Sequence, residues 1–187
     1  MKTNKNTAPI FLFLALSMLF AFCAQQPYGE KVKEPFTGNK YESSARWFRA
    51  VGKGVSQKDN IAKSKADIEA KRILAQQVQT TVKVVTDQYL SDTHTNNESE
   101  LNDKFQTLVR EVTATEIGDL RKIGDEKYFN GTNYTAFVAY EIKKSAMLRF
   151  LKKKAKADAK IDKVTADAMD KILEQEIERL ENLSSDE

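Results

Sequence analysis

The chain has 187 residues, with 30 lysines and arginines, 27 aspartates and glutamates, one histidine and one cysteine. That length suits one domain of ordinary size behind a leader, and the near balance of charge gives no electrostatic case for nucleic acid. One cysteine excludes a disulfide within the chain, and one cysteine with one histidine cannot build a zinc site or a Cys–His nucleophile pair.

Lys2 and Lys5 form a short basic start, and Ile10 to Phe22 follow as an apolar run broken only by Ser17. A spanning helix needs about 20 apolar residues. This shorter run, over residues 1–22, reads as an export signal. It ends at Cys23, where a bacterial lipoprotein carries its acceptor cysteine. Cleavage before Cys23 leaves an N-terminus whose acyl chains, two or more in number, anchor it stably. Leu19-Phe20-Ala21-Phe22 departs from the small residue usual before such a cysteine. An ordinary secretory signal cut after Ala21 or Ala24 is the alternative, and Cys23 is then lost or left as a free thiol. Ala24, in place of an aspartate, leans toward the outer membrane. Removing residues 1–22 from 187 leaves 165, and removing Lys2 and Lys5 leaves 28 basic residues against 27 acidic ones.

Residues 23–44 read as a lipidated tether, interrupted by Pro27, Gly29, Pro35 and Gly38. As a flexible coil, about 20 residues span roughly 25 Å r.m.s.. Alternation predicts a strand over 46–55, with Trp47, Arg49, Val51, Lys53 and Val55 on one face and Phe48, Ala50, Gly52 and Gly54 on the other. The small residues of the second face allow close approach, most simply by a helix. Ser56 to Asp59 has the Ser-x-x-acid form of a capping box. A long helix follows over about 57–90, with alanines (Ala62, Ala66, Ala70) in its first half and valines (Val78, Val82, Val85) in its second.

A polar connection over 91–99 leads to a second helix at 100–113. Residues 117–128 read as a strand with Gly118 and Gly124 as bulge candidates, Asn130-Gly131 marks a turn, and 134–142 is the clearest strand. From Ser145 to Leu183 the pattern is helical without Gly or Pro, though its middle is thin in apolar residues. The order implies an α+β domain: a small antiparallel sheet of about three strands packed on a long helix, plus a long C-terminal helix.

The block Trp47-Phe48-Arg49-Ala50-Val51-Gly52-Lys53-Gly54 is followed by Ala62, Ala66, Ala70, Ala75 and Gln77, and later by the strand Tyr134-Thr135-Ala136-Phe137-Val138-Ala139-Tyr140. Together these resemble the Lpp-twenty family of bacterial lipoproteins over roughly residues 45–145. The resemblance implies a dodecin-like sheet against a long helix, and a place at the cell surface or outer membrane. A domain related to the family is found in a flagellar T-ring assembly protein. The family carries over no catalytic site, only the lipidated Cys23, and it does not account for residues 146–187.

Other candidates are weak. His94 stands alone in a polar loop beside Asp92. Gly52-Lys53-Gly54 lacks the spacing of a phosphate loop. Lys152, Lys153, Lys154, Lys156 and Lys160 form the densest basic cluster, but Asp158 and Asp162 interleave with it. Trp47, Phe48, Tyr134, Phe137 and Tyr140 read as core aromatics. No acid/base, cofactor or metal constellation appears, so the expected role is a non-enzymatic scaffold or interaction module. Its partners are a membrane through the N-terminal lipid, and a second copy or another envelope protein. The expected contact surface is the stripe Ile161, Val164, Ala168, Ile172 and Leu180, so that Ile172→Asp disturbs association more than folding. A secreted or periplasmic small-ligand binder of dodecin-like fold, using a sheet–helix cleft or an oligomer interface, is the alternative.

Overall fold

Period-two alternation at the start of the domain becomes strand β1 (Trp47–Ser56) in the computed structural model, which describes residues 32–93, 98–115 and 119–185. Helices α1 (Asp59–Thr93) and α2 (Glu98–Thr115) follow, then strands β2 (Arg121–Phe129) and β3 (Tyr134–Lys143), then helices α3 (Lys144–Ala157) and α4 (Lys163–Ser185). The sheet order is β1-β3-β2, with both neighbours of β3 antiparallel to it. The α+β class, the three-stranded antiparallel sheet and a long C-terminal helix are as the sequence implied.

The glycines of β1 set how the sheet meets α1. A Cβ on Gly52 would lie 2.0 Å from the Ala66 carbonyl oxygen, and one on Gly54 would lie 2.1 Å from that of Ala62. Helix backbone therefore rests directly on strand backbone, with Ala62, Ala66 and Ala70 fully buried at the contact. Leu74, Val78, Val82, Thr86 and Leu90 continue the buried series at a strict four-residue spacing. At 3.6 residues per turn, such a series drifts around the helix by about 40° per step. One helix thus turns its small residues to the sheet and its larger ones to the other helices, among them α2.

At the N-terminus of α1 the capping box does not form. Ser56 Oγ accepts from the Lys58 amide at 3.2 Å, while the Asp59 carboxylate accepts from Lys127 Nζ at 2.8 Å. Asp59 is too short to reach back as glutamate does, and it ties the helix to β2 instead. In β2 the register slips between Lys122 and Gly124, which places a bulge beside one predicted glycine. Gly118 lies outside the described residues. The turn at Asn130-Gly131 is present: Asn130 Oδ1 accepts from the Thr132 and Asn133 amides, and Gly131 has φ +91°.

The predicted helical run from Ser145 to Leu183 divides. The Asp158 amide closes α3 on Lys154, its carboxylate accepts from the Lys160 amide at 2.9 Å, and its carbonyl accepts from Ile161. Asp162 then caps α4 by accepting from the Thr165 amide at 3.0 Å and from the Thr165 hydroxyl at 2.7 Å. Two short acidic side chains compete with helical hydrogen bonding where apolar residues are too few to oppose them. α3 and α4 fold back on each other, pairing Lys152 and Lys156 with Asp170, Lys152 with Glu174, and Arg149 with Glu181.

The chain divides into two units at Glu34 and Pro35. Of the first, residues 32–34 are described; they are exposed and carry no helix or strand. Residues 35–44, expected as tether, belong to the folded domain, because Phe36 and Ser43 make specific contacts with the sheet.

Candidate functional site

One face of the sheet carries α1; the other is crossed by the strap of residues 35–44. Phe36 lies on the bulged strand, so near Gly124 that a Cβ there would sit 2.6 Å from its ring. Its ring also meets Tyr41, with centroids 5.1 Å apart. Phe36 has φ +57°, a region bulky residues rarely adopt; these two ring contacts hold it there. At the far side the strap closes the free edge of β1. Ser43 Oγ accepts from the Arg49 amide at 2.8 Å and donates to Gln77 Oε1 at 2.8 Å, and Gln77 Nε2 donates to the Arg49 carbonyl at 2.9 Å. The Ser44 amide donates to the Trp47 carbonyl. An edge that would otherwise template another strand is covered over Trp47 and Arg49.

Under this strap lies Glu141, a buried carboxylate at the centre of the sheet. It accepts from Arg49 Nε at 2.9 Å and from Arg121 Nε at 2.8 Å, one arginine from each outer strand. Both guanidinium groups face the Trp47 ring, at 5.8 and 5.6 Å from its centroid. Burial alone would raise the Glu141 pKa, but the two arginines outweigh it and hold the carboxyl below its ordinary 4.5. A group with a depressed folded pKa adds stability above its unfolded value and loses it as pH falls through the folded one. Glu141→Gln is therefore expected to cost about 2 kcal/mol at pH 7, the low end for a buried ion pair because Arg121 can rehydrate. The difference from wild type shrinks below pH 4.5. Urea unfolding midpoints of both proteins at pH 7 and pH 3 measure this.

The helix-facing side holds a second polar cluster. The Tyr140 hydroxyl donates to Asp67 at 2.5 Å, and Asp67 pairs with Lys71. Burial, then the bond to Asp67, pushes the Tyr140 pKa up to about 12. Lys63 and Lys122 meet on Asp125, which ties β2 to α1. These groups pair with one another across elements, so they act as clips between them. Among the described residues no group of His, Cys, Asp and Glu is placed to hold a metal.

The expected contact stripe is not a surface. Ile172 is 1% exposed and Leu180 4% exposed, both in the chain's own core. Ala168 and Ile161 are half-buried against that core, and only Val164, at 80% exposure, faces outward. The break at 158–162 explains this: once α4 folds back on α3, the stripe finds its partner within the chain. Ile161 instead joins Leu108 at the floor of an open groove of about 210 Å³, rimmed by Asp103, Lys104, Glu111 and Lys160. Small-molecule sites are usually roughly 300–1,000 Å³. At Gly52 and Gly54 the sheet–helix seam is closed, since strand and helix backbones meet there. The basic cluster is paired through Lys152 and Lys156 with α4 acids, and Lys154 covers the Phe150 ring at 5.1 Å. Cys23 and His94 lie outside the described residues.

Of the aromatics, Phe48, Phe137 and Tyr140 are buried, while Trp47 and Tyr134 are partly so. The hairpin end continues outward as Tyr128, edge-on to Phe137 at 6.0 Å, and Phe129, against Tyr134 at 4.5 Å. Neither the strap nor the setting of Glu141 follows from the sequence patterns above. The signal for the second was a glutamate amid Phe137, Ala139 and Ile142 on a strand whose neighbour carries Arg49 on the same face. Among the described residues, no helix is long and apolar enough to cross a membrane. Comparison with models of protein families, with curated proteins and with solved structures finds no match to this chain.

Proposed function

We propose that this chain is a lipid-anchored protein of the bacterial cell envelope, held at the outer membrane through acylated Cys23. In this reading its α+β domain is a non-enzymatic scaffold or interaction module. The observation that carries the reading is the order basic start, short apolar run and sole cysteine over residues 1–23. Such a leader is removed up to the cysteine, and acylation then supplies the anchor. The resemblance to the Lpp-twenty lipoproteins points the same way. The domain beginning at Pro35 leaves residues 23–34 as the spacer between lipid and fold.

Fractionation of the producing bacterium tests this. The wild-type chain is expected in the membrane fraction, resistant to high salt and alkaline wash and released by detergent. Cys23→Ala is expected either in the soluble fraction or as the longer unprocessed precursor. A wild-type chain that washes off with salt overturns the proposal.

A further inference from the structure

We infer that the hairpin end of the domain is a second membrane contact, lying in the headgroup region of the same bilayer that holds acylated Cys23. The inference rests on the lipid-anchor reading above and adds an orientation to it. Nine large hydrophobic residues are exposed among the described residues, and four of them, Val55, Ile61, Tyr128 and Phe129, gather at this end at 41–56% exposure. The pairing Ser56–Tyr134–Phe129 aligns the strand ends, and the Lys127–Asp59 ion pair holds the first turn of α1 beside them. Among the described residues, no element covers these side chains fully. Aromatic side chains with one polar end favour the boundary between headgroups and acyl chains; Tyr128, whose hydroxyl donates to the Glu126 carboxylate, is of that kind, and Phe129 adds a bare ring.

Charge agrees with this occupant. Lys65 reaches the Val55 carbonyl and Lys53 lies over the Phe137 ring that Tyr128 meets, while Lys58 immediately precedes α1; Lys127 pairs with Asp59 and Lys63 with Asp125, which leaves Glu126 as the acid at this end. The excess is basic, as an anionic lipid surface requires. The spacer also permits it. Twelve residues, 23–34, reach at most roughly 40 Å when fully extended. The strap they lead into begins with Phe36 on Gly124, five residues along β2 from Phe129, or about 17 Å. Acyl chains and hairpin end can therefore meet one bilayer surface.

Trp47 is the only tryptophan, and it stands eight residues along β1 from Val55, about 27 Å away at the opposite end of the sheet. It serves as an internal reference. The full chain, purified from bacterial membranes as wild type, Phe129→Trp and Tyr128→Trp, is reconstituted into vesicles of phosphatidylethanolamine and phosphatidylglycerol with acyl chains brominated near their headgroup end. Flotation is measured first, then fluorescence against unbrominated vesicles. All three proteins are expected to float. Each introduced indole is expected to lose roughly half its emission or more, as a group seated 5–10 Å into the headgroup boundary does, while Trp47 emission is unchanged. Protein that floats with the introduced indoles unquenched overturns the hairpin contact and leaves the anchor standing. Protein that does not float overturns the anchor, and the hairpin contact with it.

Discussion

Gly52→Ala is expected to unfold the domain or nearly so. The added methyl would sit 2.0 Å from the Ala66 carbonyl oxygen and 2.4 Å from the Ala70 nitrogen, both of them backbone. Overpacking a core side chain costs typically about 1–3 kcal/mol because neighbours shift. Here the neighbour is a helix fixed along its length, so the loss exceeds about 3 kcal/mol, against a usual total of about 5–15. Gly131→Ala is the comparison. Nothing lies within 4 Å of its Cβ position, and only φ +91° resists the change, so the expected cost is about 1–2 kcal/mol. Urea unfolding followed by far-ultraviolet circular dichroism separates the two. Equal midpoints would show that the sheet and α1 are not in backbone contact.

Ile172→Asp is expected to destroy folding before it touches any association. The side chain is buried among Leu148, Leu151, Met169 and other members of one cluster. Truncating it alone costs about 2–5 kcal/mol, and an unpaired carboxylate adds a desolvation penalty of several kcal/mol more. Val164→Asp, on the same helix but 80% exposed, is expected to change stability by less than about 0.5 kcal/mol. Thermal unfolding of the two variants decides the point. A folded Ile172→Asp protein with altered oligomeric state would restore the stripe as an interface and contradict the α3–α4 packing.

These two sites also show how far the sequence could be read. The Gly52/Gly54 face and the alanines of α1 are adjacent in sequence and alike in size, so their pairing followed from local pattern. The hairpin followed from Asn130-Gly131. The C-terminal stripe was seen as apolar, but which surface it met depended on a turn made by Asp158 and Asp162. Their effect is side chain to backbone, and it wins only where packing is weak. The strap was hidden for a related reason. Pro35 and Gly38 look like spacer residues, and their hold on the sheet comes from Phe36 and Ser43 reaching partners 88 and 34 residues away in the chain, Gly124 and Gln77. Alternation puts Glu141 on the Phe137 face of its strand, but its two arginines follow only from the strand order, with β3 between β1 and β2.

In the proposed reading Cys23 carries the lipid and everything before it is removed. Intact mass of the protein extracted from bacterial membranes, beside the Cys23→Ala variant, tests it most directly. A chain beginning at Cys23 with added acyl mass, absent from the variant, is expected. An unacylated wild-type chain beginning at Phe22 or Gln25, after cuts at Ala21 or Ala24, would contradict it.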